Sequence, residues 1–247
     1  MRFAFSGRRV LILGGNCELA MTLARQLIEE SLYPVLTYRN DRALDSILEA
    51  LMPFAGKYEI HQMILGDSGS LDNLFRNIGE DLDFLIDFVH EDYESLIASA
   101  DEDVIQRYFA DNVAFRAAIL KRVVRAMLKK RRGRLIYISS TAAERPNPGQ
   151  GFYAAAKLAS EALYRNAGLE LGARGITAAI LRPGYVDSGR GAVYLGQKKM
   201  EPLKKVPIRR AITHEEIAQA ILYLLSDVAA GINGTVITMD GGLTMGK

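Results

Sequence analysis

The sequence predicts an α/β protein: a doubly wound, parallel, seven-stranded sheet with helices on both faces, in one domain over residues 1–247. Three observations predict it. Strand-like and helix-like segments alternate from end to end, which implies parallel strands joined by helical crossovers. The strand-like runs are apolar throughout, as strands covered on both faces must be. No repeat, low-complexity tract or linker interrupts the series. Right-handed crossovers then put ligands at the carboxyl ends of the strands.

Residues 9–13 are a short apolar run that ends at Gly14-Gly15 and reads as the first strand. Leu19, Leu23 and Leu27 follow at helical spacing, so 19–30 is a helix. The second strand and helix fall at 34–38 and 43–52, the third strand at 59–65, and the next helix around 71–78. Residues 83–89 form the fourth strand. One long helical region, 101–130, contains Asn112. The fifth strand is 134–139, the following helix 153–171, and the sixth strand 177–181, stopped by Pro183-Gly184. Residues 185–206 have no clear period and read as a mobile lid. A helix over 215–225 and a last strand over 234–239 precede Asp240-Gly241-Gly242.

A composition of 49% hydrophobic and 24% charged residues suits a sizeable globular core. No run of eighteen apolar residues exists, so no membrane span is expected. The start lacks the apolar run and cleavage site of a secretory signal. Cys17 is the single cysteine, so no intrachain disulfide can form and a reducing, cytoplasmic setting is expected. A net charge of +2 is too small to argue for nucleic acid. His61, His90 and His214 are scattered, and no metal site is expected. Neither a Gly-x-Ser-x-Gly elbow nor a Gly-x-x-x-x-Gly-Lys loop is present. Asn233-Gly234-Thr235 has the form of a glycosylation triplet but reads as a turn.

The sharpest chemical signal is Tyr153-Ala154-Ala155-Ala156-Lys157. Positions i and i+4 share a helix face, so phenol and ammonium point the same way. A phenol near pKa 10 is a weak acid at neutral pH, and a fixed positive charge beside it would bring Tyr153 toward general acid–base work. Alone the pair is as readily a solvated one. Ser140, thirteen residues earlier, stands at a strand's carboxyl end, and Asn112 lies inside an otherwise apolar helix.

With Ile138-Ser139-Ser140, Tyr153 and Lys157, Pro183-Gly184 and Asp240-Gly241-Gly242 in this order and spacing, the chain resembles the short-chain dehydrogenase/reductase family. The likeness covers essentially the whole chain and lies with the compact single-domain branch. It implies a Rossmann-type fold and an active tetrad of Asn112, Ser140, Tyr153 and Lys157. Ser140 would bind the substrate carbonyl, and Tyr153 would protonate its oxygen. Lys157 would hold the nicotinamide ribose and acidify the phenol, while Asn112 would fix a proton-relaying water. The blander reading makes Ser140 a strand-end hydroxyl and Asn112 a packed polar residue.

The resemblance also implies a dinucleotide on Gly14, Asn16, Cys17, Leu19, Arg39, Phe88, Tyr153, Lys157, Val186 and Ser188. Glycines of the first turn let backbone approach the pyrophosphate at a helix start. Here the turn keeps Gly14 but carries Glu18 and Ala20 where the family has its second and third glycines. A first-turn carboxylate gains roughly 0.3–1 kcal/mol from the helix dipole, so Glu18 either repels the pyrophosphate or points aside to solvent or a basic partner. Asp87-Phe88-Val89-His90 replaces the family's Asn-Asn-Ala-Gly, and Ile64 or Leu65 its adenine-side Asp. Arg39 after the second strand favours NADP(H) over NAD, because a guanidinium can pair with a 2′-phosphate.

Basic clusters lie at Lys129–Arg132, 198–199, 204–205 and 209–210. Cations at a helix carboxyl end complement its dipole. The resemblance adds that Lys129 and Arg174 could dock an acidic acyl carrier protein. The expectation is an NADP-dependent reductase of carbonyl substrates, most like 3-oxoacyl-acyl-carrier-protein reductases and assembled as a homotetramer. The rival is a non-catalytic or regulatory member of the family with impaired dinucleotide binding.

Overall fold

The computed structural model describes residues 3–245; residues 1, 2, 246 and 247 of the predicted domain lie outside the described residues. The strands are β1 (Arg9–Leu13), β2 (Tyr33–Tyr38), β3 (Glu59–Gln62), β4 (Phe84–Asp87), β5 (Gly133–Ile138), β6 (Ile176–Pro183) and β7 (Thr235–Met239). The helices are α1 (Glu18–Glu29), α2 (Asp41–Leu51), α3 (Ser68–Ile78), α4 (Glu102–Phe109), α5 (Arg116–Lys130), α6 (Gly151–Leu171), α7 (Gly189–Gln197) and α8 (His214–Leu225). All strands pair in parallel in the order β3-β2-β1-β4-β5-β6-β7. The order reverses between β1 and β4, and a crevice opens there beyond the strands' carboxyl ends.

Strand side chains alternate between two cores. Val10 and Ile12 face one layer with Leu23, Leu27, Ile217 and Ile221 of α1 and α8. Leu11 and Leu13 face the other with Leu71, Val123, Met127 and Leu171 of α3, α5 and α6. Two covered faces explain why the strand runs are apolar at every position.

The predicted helix over 101–130 is two helices joined by a π-helical turn, Ala110–Phe115, with Asn112 inside it. Periodicity alone does not register one extra residue in a turn. The predicted lid over 185–206 carries α7 and a 3-10 turn at Glu201–Lys205. Only Leu195 of α7 is buried, so this helix has almost no apolar stripe and left no periodic signal. Asn233 is a turn residue with both ends of its amide used: Oδ1 accepts from the Ala178 N–H and Nδ2 donates to the Gly168 carbonyl, each at 3.0 Å.

At the amino-terminal ends of β1 and β4, opposite the crevice, Asp83 accepts from the Arg8 and Arg9 N–H groups at 2.8 and 3.0 Å. Lys130 and Arg132 pair with the same carboxylate at 3.0 and 2.9 Å, Lys130 also pairs with Asp81, and Lys129 pairs with Glu80. The run at the end of α5 is therefore largely neutralised within the chain.

Candidate active site

Ser140, Tyr153 and Lys157 meet at the carboxyl end of β5. Ser140 follows the strand, its hydroxyl accepting from the Ala142 N–H at 3.1 Å, and it lies near enough to the Tyr153 phenol to favour the phenolate. Tyr153 and Lys157 lie one turn apart on α6. The Lys157 ammonium lies 5.7 Å from the centre of the Tyr153 ring and donates to the Ile138 carbonyl at 2.9 Å.

The electrostatics differ from the sequence expectation. Burial pushes the Tyr153 phenol up, and the nearby Ser140 hydroxyl and the Arg116 charge only partly offset it. Lys157 is itself pulled down to about 7, by burial first and by Arg116 second. An ammonium that is itself disfavoured cannot strongly acidify its neighbour. Burial, rather than the charge of Lys157, sets the direction of the phenol's shift.

Asn112 stands behind this group, fully buried. Its Oδ1 accepts from the Glu91 N–H at 2.9 Å and its Nδ2 donates to the Tyr108 carbonyl at 2.9 Å. Its main-chain carbonyl accepts from Nη1 of Arg116. That guanidinium also donates to Asp87 at 2.8 Å, to Ser160 at 3.2 Å and to the Val89 carbonyl. Asp87 takes a further bond from Tyr164 at 2.9 Å. Asp87, Arg116, Ser160 and Tyr164 thus form one buried network that reaches the Asn112 carbonyl.

The first turn fits a dinucleotide at its adenosine end. Gly14 has φ +77°, and a Cβ there would sit 3.2 Å from the Val89 nitrogen. Asn16, Arg39, Asn40, Arg42, Ala43 and Ser46 line a polar cavity of about 380 Å³. Two guanidinium groups and no carboxylate line it, which suits a phosphate monoester beside a ribose. Arg42 escaped the sequence reading because it sits inside α2, away from any motif. The Leu19 side chain is buried in the core, so only its backbone is available to a cofactor. Burial pushes the Cys17 thiol up to about 11. Phe88 packs against the core around β1, Val186 bridges to Ile212, and Ser188 is the buried N-cap of α7.

Glu18 is exposed and acts on His214. Partial burial pulls His214 down, but the Asp187 hydrogen bond and the charges of Glu215, Asp187 and Glu18 outweigh it, so His214 titrates above its ordinary value. Asp187, His214 and Glu215 place their ligand atoms within 4.8 Å of one another, and both His214 nitrogens are already paired with these carboxylates, at 3.0 and 2.8 Å.

Two further residues, Arg190 and His90, reach the phenol, and the sequence reading gave neither a place in the site. The Arg190 guanidinium of α7 lies 5.5 Å from the Tyr153 ring centre and pairs with Asp92 of the loop after β4. The His90 ring stands perpendicular to Tyr153, centroids 5.0 Å apart, with Nε2 2.8 Å from the Tyr108 hydroxyl.

The chain is similar to known proteins along nearly its whole length. Residues 17–244 match the family model described as enoyl-(acyl carrier protein) reductase. The 3-oxoacyl-[acyl-carrier-protein] reductase of Mycobacterium avium is 30% identical over 255 residues, covering 99% of this chain and 93% of that protein. The reductase of the same description from Chlamydia pneumoniae is 25% identical, covering 99% and 100%. A solved structure described as a short chain dehydrogenase/reductase family protein superposes with a TM-score of 0.87 at 26% identity, covering 99% and 100% of the two chains.

Proposed function

The chain belongs to the short-chain dehydrogenase/reductase family, and on that premise we propose that it reduces a carbonyl to an alcohol with NADPH, on 3-oxoacyl substrates. One observation carries the reading: the Tyr153 phenol stands beside Ser140 at the end of β5 with the Lys157 ammonium 5.7 Å from its ring centre, so the phenol and the serine hydroxyl can both turn to one acceptor oxygen. When bound, NADPH supplies the hydride. Arg39 and Arg42 would hold its 2′-phosphate, the Gly14 turn its pyrophosphate, and Lys157 and Tyr153 its ribose.

Ser140 orients the substrate carbonyl, and Tyr153 places its phenolic proton on the oxygen as negative charge develops there. Lys157, half-protonated near neutral pH, gains an acceptor when a ribose hydroxyl arrives. Asn112 holds the loop after β4 through Glu91. The comparisons lend no support to the non-catalytic alternative.

The relatives' names support a substrate carried on acyl carrier protein. Arg174 is exposed before β6, whereas Lys129 would have to leave Glu80 to bind an acidic carrier. A homotetramer in the cytoplasm completes the proposal; no helix among the described residues is long and apolar enough to cross a membrane. The test is NADPH oxidation with ethyl acetoacetate. Tyr153→Phe should lower kcat by on the order of 10²-fold, and Arg39→Ala and Arg42→Ala should each weaken NADPH about tenfold while moving NADH little. Turnover persisting in Tyr153→Phe would remove the acid assignment.

A further inference from the structure

Behind Ser140, Tyr153 and Lys157 lies a buried charge pair that the chemistry above does not use. Arg116 and Asp87 have no exposed surface and pair at 2.8 Å. Such a pair gains little stability over apolar side chains of the same volume, because both ions have left water. Its contacts point to another use. The guanidinium binds the Asn112 carbonyl in the π turn, the Val89 carbonyl after β4 and, at 3.2 Å, Ser160 on the helix of Tyr153 and Lys157. It also lies 5.1 Å from the Tyr137 ring centre, and the Lys157 ammonium lies 5.1 Å from the same centre. Tyr137 and Lys157 are buried as well, so little water screens one cation from the other.

Among the described residues, the titratable groups that face Lys157 are Asp87 of β4, His90 of the loop after it, Arg116 of α5, Tyr137 of β5, and Tyr153 and Glu161 of α6. Burial keeps His90 uncharged and raises the Tyr137 and Tyr153 phenols, so none of them carries charge near neutral pH. Glu161 is paired with Arg182 at 2.6 Å. That leaves Arg116 set against Asp87. Burial, then Arg116, pulls Lys157 down to about 7, and Asp87 and Glu161 only partly offset them. We infer that Arg116, held in place by Asp87, is a positioning residue for the reduction, which sets across the Tyr137 ring the charge that Lys157 presents to a bound cofactor. This rests on the reductase reading above. Asp87 stands where the family has an asparagine, which could not neutralise a buried guanidinium, so the aspartate and the arginine act as one device.

The experiment titrates Lys157 in the cofactor-free protein by carbon NMR of lysine labelled at Cε, its signal assigned with Lys157→Met. Alongside, kcat/KM for NADPH is followed against pH with ethyl acetoacetate as acceptor, since that ratio reports groups of the free enzyme. Arg116→Gln keeps a donor and removes the charge, so the Lys157 midpoint should rise by about one pH unit. Asp87→Asn removes the counter-charge, so the midpoint should fall. The matching limb of the kcat/KM profile should move with each. A role in packing alone would lower kcat/KM in both variants with the limb unmoved, or move it the same way in both; either result overturns the inference. Removing one member leaves the other buried without a counter-charge, so the double variant Asp87→Asn/Arg116→Gln is the check where a single one does not fold. It should titrate above wild type, because Arg116 outweighs Asp87 at Lys157; a midpoint equal to or below wild type overturns the inference. Opposite displacements in a protein that reduced no carbonyl would uphold the setting of charge and remove the reductase reading instead.

Discussion

Lys157 is 3% exposed, and its position costs the fold something. Burial, and then Arg116, pulls its ammonium down to about 7 from an ordinary value near 10.5. The folded chain therefore prefers the neutral amine. Between about pH 7 and 10.4 the unfolded chain binds more protons, so stability rises with pH through that window; below it the penalty is complete. Lys157→Met should stabilise the protein by about 1–2 kcal/mol at pH 6 while removing activity. The advantage should shrink as urea unfolding is repeated toward pH 10; a constant gap would mean that the amine is not titrating there. The spacing of Tyr153 and Lys157 was legible because a helix fixes it locally. Their charge states were not, since these depend on burial and on Arg116, 41 positions from Lys157 and brought near it only by the fold.

Helices differed in how openly the sequence announced them. α1 and α8 bury one face each and show it as spaced leucines and isoleucines. α7 buries Leu195 alone, so the stretch read as structureless although it forms a helix over the crevice. Arg190 in its first turn ties it down, pairing with Asp92 and lying over the Tyr153 ring. An exposed ion pair and a cation–π contact together contribute about 1 kcal/mol. Arg190→Ala should therefore speed amide hydrogen exchange in α7 about fivefold and leave α6 unchanged, as followed by mass spectrometry. Equal exchange in the two proteins would show that the helix is held by other contacts. The π turn at Asn112 escaped for a different reason: it shifts hydrogen bonding without changing which face is apolar.

Asp83 ties the amino-terminal ends of the central strands β1 and β4 to the end of α5, on the side of the sheet remote from the crevice. Burial would raise this carboxyl, but the Arg8 and Arg9 N–H groups, then Arg132 and Lys130, overcome it and hold it well below the usual carboxylate range. A depressed folded value contributes stability that is complete above about pH 4 and is lost as pH falls through the folded value. Asp83→Asn should lower stability by roughly 1–3 kcal/mol at pH 7, and its acid-unfolding midpoint, read by circular dichroism, should move to higher pH. The difference from wild type should narrow below pH 4; a widening difference would contradict the assignment.

The alternation of strand and helix, the apolar two-sided strands and the pairing of Tyr153 with Lys157 were determined by the chain itself. Each repeats at the period of its own backbone, so neighbours in sequence suffice to specify it. Arg116 on Asp87, His90 between Tyr108 and Tyr153, and Arg190 on Asp92 were decided only by tertiary packing. These partners come from different elements and have no spacing to read. Their contact exists because a parallel sheet brings the ends of β4, β5 and β6 together, and burial there gives each charge and ring nitrogen its strength.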